Sequence, residues 1–402
     1  MRTLSRRSSF WVAASVAAIA LWTSAAPTVT YPLYAAEWDL ATATTTAIFA
    51  VYPITLVVAL AVFGNLSDYV GRRVAILTGL AASLLGVILF AVAPSVEWLF
   101  AGRALMGLGV ALSLSPATAA VVEFSAPGQA KRAGSVTTAA TAVGLVLSML
   151  VGGALIEYAP LPTHLNFVVL SAFIAVVGVF AWFLPRHSPD VAAGRWRPRG
   201  IVVPRGIRHF FAIGALSLVS AFALGVIFLS LGADIAQTLI GSDNALVNGS
   251  LLAVNAAMIA VAAILLRNVA PVTLVMLGAV TTVVGIGVLL ASSLQHSLAL
   301  FLVAAVITGF GYSMLFSGGL GTVSAAAPAH HRAGTLSAVY LVAYFFQGAT
   351  ALFLGSLATG YDLQFALEIG AVVVTVFSVT ALVLGLTLGR GTATATEPAP
   401  AA

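Results

Sequence analysis

Apolar residues run along this chain in stretches of about twenty, each closed by a short polar or Gly/Pro break. The two-residue alternation of a half-exposed strand is missing, and so is the narrow apolar stripe of a surface helix. At 1.5 Å per residue, such a run crosses the roughly 30 Å hydrocarbon core of a bilayer. Twelve runs are predicted, at 10–34, 44–64, 74–93, 98–124, 135–158, 165–184, 210–232, 244–266, 272–292, 298–325, 335–360 and 364–388. In hydrocarbon every backbone polar group must be bonded within its own segment, so each run is read as a helix. Breaks such as Ala93-Pro94-Ser95, Ala159-Pro160-Leu161-Pro162 and Ala270-Pro271 mark the turns. The first run poses a choice. Arg2, Arg6 and Arg7 ahead of Phe10–Trp22, with Ser24-Ala25-Ala26 behind, fit a secretory signal. Its continuation through Pro27, Val29 and Leu33 to Tyr34 gives it the length to span and makes the number of helices even, so it is read as the first helix.

Composition agrees. Hydrophobic residues make up 61% and charged residues 7% of the 402, where a soluble domain carries roughly 25% charged, and the mean hydropathy is +1.09. With no cysteine, disulfides and thiolate metal sites are excluded. The net charge of +5 invites a nucleic-acid reading, but its placement points to a membrane surface. Arg72 and Arg73, Lys131 and Arg132, Arg186 to Arg208, Arg267 and Arg332 all fall in even-numbered connections, and the other basic residues except Arg103 fall at the termini. Glu37, Asp39, Glu97, Asp243 and Asp362 fall in the odd-numbered ones. By the positive-inside rule both termini are cytoplasmic. The arginine-rich segment 186–209 reads as a tether drawn to anionic lipid, and 391–402 reads as a disordered tail.

The chain also repeats itself at an offset of about 200 residues. Gly107-Leu-Gly109 is echoed by Gly309-Phe-Gly311, and Leu77 to Gly86 by Met276 to Gly285. Ala126-Pro127 with Arg132-Ala133-Gly134 returns as Ala327-Pro328 with Arg332-Ala333-Gly334. Two pseudo-symmetric six-helix bundles, 1–185 and 210–390, are predicted, with a binding site between them near mid-membrane.

Several segments carry chemistry. Gly64-Asn-Leu66-Ser-Asp68-Tyr-Val-Gly71-Arg72-Arg73 joins helices two and three. Phe100-Ala-Gly-Arg103-Ala-Leu-Met-Gly107-Leu-Gly109 opens the fourth, and Glu123, Pro127, Arg132 and Gly134 follow it. The first resembles the signature loop of the major facilitator superfamily, G-x-L-x-D-R-x-G-R-R/K, with Tyr69 in place of one basic residue. The others are similar to that family's fourth-helix motif and to its E-x-x-x-P-x-x-x-x-R-x-G segment. The resemblance is to bacterial twelve-helix drug and metabolite efflux members. It implies a rocker-switch carrier in which Asp68, Arg72, Glu123 and Arg132, with Gly64, Gly71 and Arg73, build a cytoplasmic gate between the bundles. In the fifth helix Gly144, Gly152 and Gly153 match the family's antiporter pattern G-x-x-x-G-P-x-x-G-G, while Ser148 and Met149 replace its central Gly-Pro. The glycines are equally a small-residue packing face.

Arg103 is the basic residue inside a span, and its repeat mate is Ala305. It either snorkels to the nearer headgroups or faces the cavity; the cavity is favoured here. Trp22, Tyr52, Asn255, Tyr312, Phe316, Tyr340, Tyr344 and Gln347 are the candidate lining. Aromatic rings with few charges suit a small, largely apolar cargo. Mid-depth is free of acids, so the candidates for proton coupling are Glu37, Asp39, Glu157 and Asp234, toward the outer ends. No phosphate-binding loop, metalloprotease pair or histidine cluster is present, so neither an enzyme nor an ATP-driven pump is expected. The expectation is a monomeric, proton-coupled exporter of small lipophilic compounds in a bacterial cytoplasmic membrane, without cofactor, metal or nucleic acid. A carrier of a sugar, amino acid or organic anion is the rival.

Overall fold

The computed structural model describes residues 3–64, 66–126, 130–185, 203, 205–239, 241, 244–327 and 332–394; side chains at 68, 130–135, 238–239, 332–334 and 387–394 are not described. Among the described residues, twelve helices are long and apolar enough to cross a membrane. They are α1 (Arg6–Ala25), α2 (Thr42–Phe63), α3 (Arg72–Ala91), α4 (Val96–Phe124), α5 (Ala130–Tyr158), α6 (Pro162–Trp182), α7 (Arg208–Ser230), α8 (Ala245–Leu265), α9 (Pro271–Leu294), α10 (Leu298–Ala326), α11 (Arg332–Gly360) and α12 (Leu363–Thr394). Among the described residues there is no strand.

Two boundaries depart from the sequence reading. The first run is not one helix to Tyr34. α1 stops at Ala25, the chain turns through 26–30, and a second short helix covers Tyr31–Trp38. Pro27 supplies no N–H to continue α1, and Thr28 N bonds Ala25 O in a tighter turn. At the other end α12 continues to Thr394, into the stretch expected to be disordered. Most of the 186–209 tether lies outside the described residues.

Packing repeats with the sequence. In the first half α1 lies on α4 and α5, α2 on α4, and α3 on α4 and α6; in the second, α7 lies on α10 and α11, α8 on α10, and α9 on α10 and α12. The matched glycines explain the close approach. A Cβ at Gly107 would fall 2.6 Å from the Tyr52 carbonyl oxygen of α2, and one at Gly309 would fall 2.6 Å from the Asn255 carbonyl oxygen of α8. Such small-residue seams drive helix association where the solvent is itself apolar. The halves meet along α2 with α11 and α5 with α8. Three hydrogen bonds join the halves at the end away from the termini: Thr28 to Leu229, Thr359 to Ala43 and Glu157 to Ala245.

Candidate functional site

The signature loop turns at Gly71, whose φ of 83° is left-handed. A Cβ is disfavoured there, which is why the loop needs glycine at that position. Gly64 caps α2 in ordinary right-handed geometry. Arg72 Nε donates to Glu123 Oε2 at 2.7 Å, from half-buried side chains. Expected between the bundles, this pair lies inside the first one, tying the start of α3 to the end of α4. Consecutive antiparallel helices bring those two ends to the same membrane face. Arg73 also makes its contacts within the first bundle. It is buried, stacks over the Trp182 ring at 5.2 Å and donates to Leu184 O, holding the end of α6 against α3. Arg6 donates to the backbone carbonyls of Glu123, Phe124 and Ser125, closing the C-terminus of α4, where cations are favoured. The side chains of Asp68 and Arg132 lie outside the described residues.

Arg103 has no exposed surface, so it neither snorkels nor lines an open cavity. Its Nη1 donates to Ser24 O at 2.9 Å and its Nη2 to Phe49 O at 3.5 Å, and the guanidinium lies over the Tyr52 and Phe49 rings. Both carbonyls have lost their helical partners. Pro53, four residues after Phe49 inside α2, has no N–H to give. Ser24 belongs to the last turn of α1, where carbonyls are left over. Asn166 does the same for Ala26 O at 3.2 Å. Arg103 therefore fastens two interrupted helices to α4 from within the first bundle.

Two other cavity candidates are buried as well. Trp22 is buried and packs on Phe173 of α6, with ring centroids 5.1 Å apart. That face of α1 packs on α6 within its own bundle. Tyr52 is buried beneath Arg103. Of the glycines, Gly144 packs on Ala18 of α1, and Gly152 on Val29 and Asn166, all within the first bundle. Gly153 alone of the three faces the other half, against Ala245.

The candidates in the second half do come together. Tyr312 and Phe316 of α10 and Tyr340 and Tyr344 of α11 surround Phe222 of α7. Ring centroids are 4.7 Å apart for Phe222 and Tyr344, and 6.1 to 6.4 Å for Phe222 and Tyr312, Phe222 and Phe316, and Tyr312 and Phe316. Tyr340 and Tyr344 stack at 6.2 Å. Sequence reading missed Phe222, because nothing in the apolar run of α7 distinguishes it. Beside the cluster, a cavity of about 50 Å³ opens between Leu145 and Met149 of α5 and Gly225, Asn255 and Tyr312 of the second half. Asn255 Nδ2 donates to Ala305 O at 3.1 Å and Thr308 Oγ1 at 2.9 Å. Gln347 is buried, and its Oε1 has no hydrogen-bond partner among the described residues. No group of metal-ligating side chains occurs among the described residues.

Twelve helices long and apolar enough to cross a membrane, packed as two repeated bundles with a small cavity between them, define a multi-pass membrane transporter. The sequence model of the Major Facilitator Superfamily matches residues 10–346. The chain belongs to that superfamily, and it is a transporter rather than an enzyme. Solved structures carry the same fold. A bacterial homologue of the human lysosomal transporter Spinster, inward-facing and unoccupied, aligns with a TM-score of 0.74 at 19% identity over 98% of this chain and 99% of its own. The nucleoside transporter NupG aligns with a TM-score of 0.73 at 12% identity, over 94% and 100%. A POT family transporter in complex with 5-aminolevulinic acid aligns with 0.74 at 12%, over 94% and 96%. In sequence, the chain is 33% identical over 129 residues to the multidrug efflux pump LfrA of Mycolicibacterium smegmatis. That match spans 32% of this chain and a quarter of the relative's length.

Proposed function

We propose that this chain is a secondary active exporter of small, largely apolar compounds, driven by the proton gradient across a bacterial cytoplasmic membrane with both termini inside. One observation carries the cargo class: the cluster of Phe222, Tyr312, Phe316, Tyr340 and Tyr344, which meets no charged side chain among the ring contacts described. Such a wall binds through apolar area and ring stacking, and Gln347 Oε1 offers one acceptor to orient a donor on the cargo. The segment shared with an efflux pump supports outward movement. With the termini inside, the bundle is shut to the exterior and cargo enters from the cytoplasm. Closing the cytoplasmic end then draws the signature-loop region, Asp68 and Arg132 included, toward the second bundle. For coupling, Asp234 is the acid best placed. It stands just beyond α7, and burial pushes its carboxyl up to about 6, where it exchanges protons near neutral pH.

The test is uptake of lipophilic dyes into everted vesicles energised by respiration, with and without an uncoupler. Uncoupler-sensitive accumulation is expected, and Phe222→Ala should raise the half-saturating dye concentration about 2- to 10-fold, the worth of one or two aromatic contacts. If no dye accumulates although the protein is folded, the metabolite carrier is the better reading.

A further inference from the structure

We propose that the end of the bundle away from the termini is latched by two side chains, each capping the N-terminus of a helix that belongs to the other half. Glu157, at the end of α5, accepts from Ala245 N of α8 at 2.9 Å. Thr359, at the end of α11, accepts on its hydroxyl oxygen from Ala43 N of α2 at 2.7 Å. The first turn of any helix leaves its N–H groups without partners in the helix. Neither helix supplies this partner itself. α2 begins after Ala41, which has no side-chain acceptor. At α8 the Asn244 side chain is already taken by Val247 N.

The two contacts are one device made twice. Ala43 and Ala245 stand 202 positions apart, and so do Glu157 and Thr359. A third bond, from Thr28 Oγ1 to Leu229 O at 2.8 Å, joins residues 201 positions apart, at the meeting of α1 and α7. Glycines bring the backbones close enough at the same spacing: Gly153 against Ala245 and Gly355 against Thr46. Rocking the halves apart at this end breaks both caps at once and hands two amides to water. Each cap is modest, so together they hold the end shut without locking it. The two are not equivalent. Glu157 brings a negative charge to the positive end of a helix dipole, whereas Thr359 brings none.

The proposal rests on the two-bundle transporter fold and on neither cargo nor coupling ion. The natural chain has no cysteine, so spin labels at Tyr158→Cys and Tyr361→Cys report only these two positions. Both are exposed, at the latched end, one in each half. Their separation is read by double electron–electron resonance in lipid nanodiscs without any cargo, so its outcome is independent of dye export. Glu157→Ala and Thr359→Ala should each raise the open-to-closed ratio about fivefold, and the double variant more than either. Thr359→Ser keeps its acceptor and should hold the parent distribution, while Glu157→Gln keeps an acceptor but loses the charge and should open less than Glu157→Ala. An unchanged distribution in the double variant overturns the latch. So does a Gln or Ser variant that opens as far as its alanine counterpart.

Discussion

Replacing Arg103 with alanine tests whether this residue is a fastening or a transport group. The substitution removes two interhelical hydrogen bonds, to Ser24 O and Phe49 O, and two guanidinium–ring contacts, over Tyr52 and Phe49. Interhelical hydrogen bonds in membranes are worth about 0.6 kcal/mol each and at most about 1.7, and a desolvated cation–π contact about 2. Against this stands the cost of burying a guanidinium with no carboxylate beside it, which the variant recovers in part. The two carbonyls, however, then have neither helix nor side chain as partner, and the vacated volume adds a cavity cost. The net expectation is a loss of about 3 kcal/mol. Thermal unfolding in detergent, followed by the intrinsic fluorescence of the six tryptophans, should show a transition lowered by several degrees. Arg103→Lys should fall between, because an ammonium is a point donor without the fork that reaches two carbonyls. If Arg103→Ala keeps the parent's transition while transport is lost, the residue acts on cargo or protons, and its role as a clamp is refuted.

Two further outcomes follow from charge. Burial pushes Asp234 up to about 6, whereas an unfolded aspartate gives up its proton near about 3.9. Between about pH 4 and pH 6 the folded form therefore holds more protons, so stability should fall as pH rises through that window and level off above it. Asp234→Asn should flatten that part of the melting-temperature profile, and parallel profiles for parent and variant would contradict the burial argument. Glu123→Gln removes the charge from a half-buried pair within one bundle. It should cost no more than about 1 kcal/mol and leave the distance between Tyr158 and Tyr361 unchanged, whereas a shift in that distance would return the pair to the gate.

What could be read from sequence divides along a physical line. Hydropathy finds all twelve helices, and the first alone has an end misplaced by more than six residues, because lipid demands long, internally bonded apolar segments. Pro27 defeats this reading: a proline in an apolar run marks a kink or an end, and only the packing decides which. Candidate side chains were harder. Tyr312, Phe316, Tyr340 and Tyr344 were picked by residue type and do cluster. Trp22 was picked the same way and packs on Phe173 within its own bundle, since residue type says nothing about which way a helix is turned. The signature loop is legible by spacing, yet the partners of Arg72 and Arg73 are not, because both lie on α4 and α6, far along the chain. Glu157 read as an interfacial charge, and its cap on α8 becomes visible only when the two halves are seen together.

The places where the repeat fails show how the halves divide the work. In the first half α4 donates to α2, as Arg103 takes the Phe49 carbonyl left by Pro53. At the matching positions stand Ala305 and Asn255, and the tie runs the other way, from Asn255 of α8 to the Ala305 carbonyl of α10. A large cation has been exchanged for a methyl group and a proline for a short amide, and the contact survives with less volume. The cavity opens beside Asn255, whereas Arg103 and Tyr52 fill the corresponding space in the first half. The aromatic cluster follows the same rule. The residues 202 positions before Phe222, Tyr312, Phe316, Tyr340 and Tyr344 are Ala20, Val110, Leu114, Thr138 and Ala142. The first half is thus built as a filled frame, and under the proposed function the second is the wall that meets cargo. A duplicated carrier able to move one bundle against the other gains from such a split. Recognition can change in one half without disturbing the polar ties that keep the other rigid.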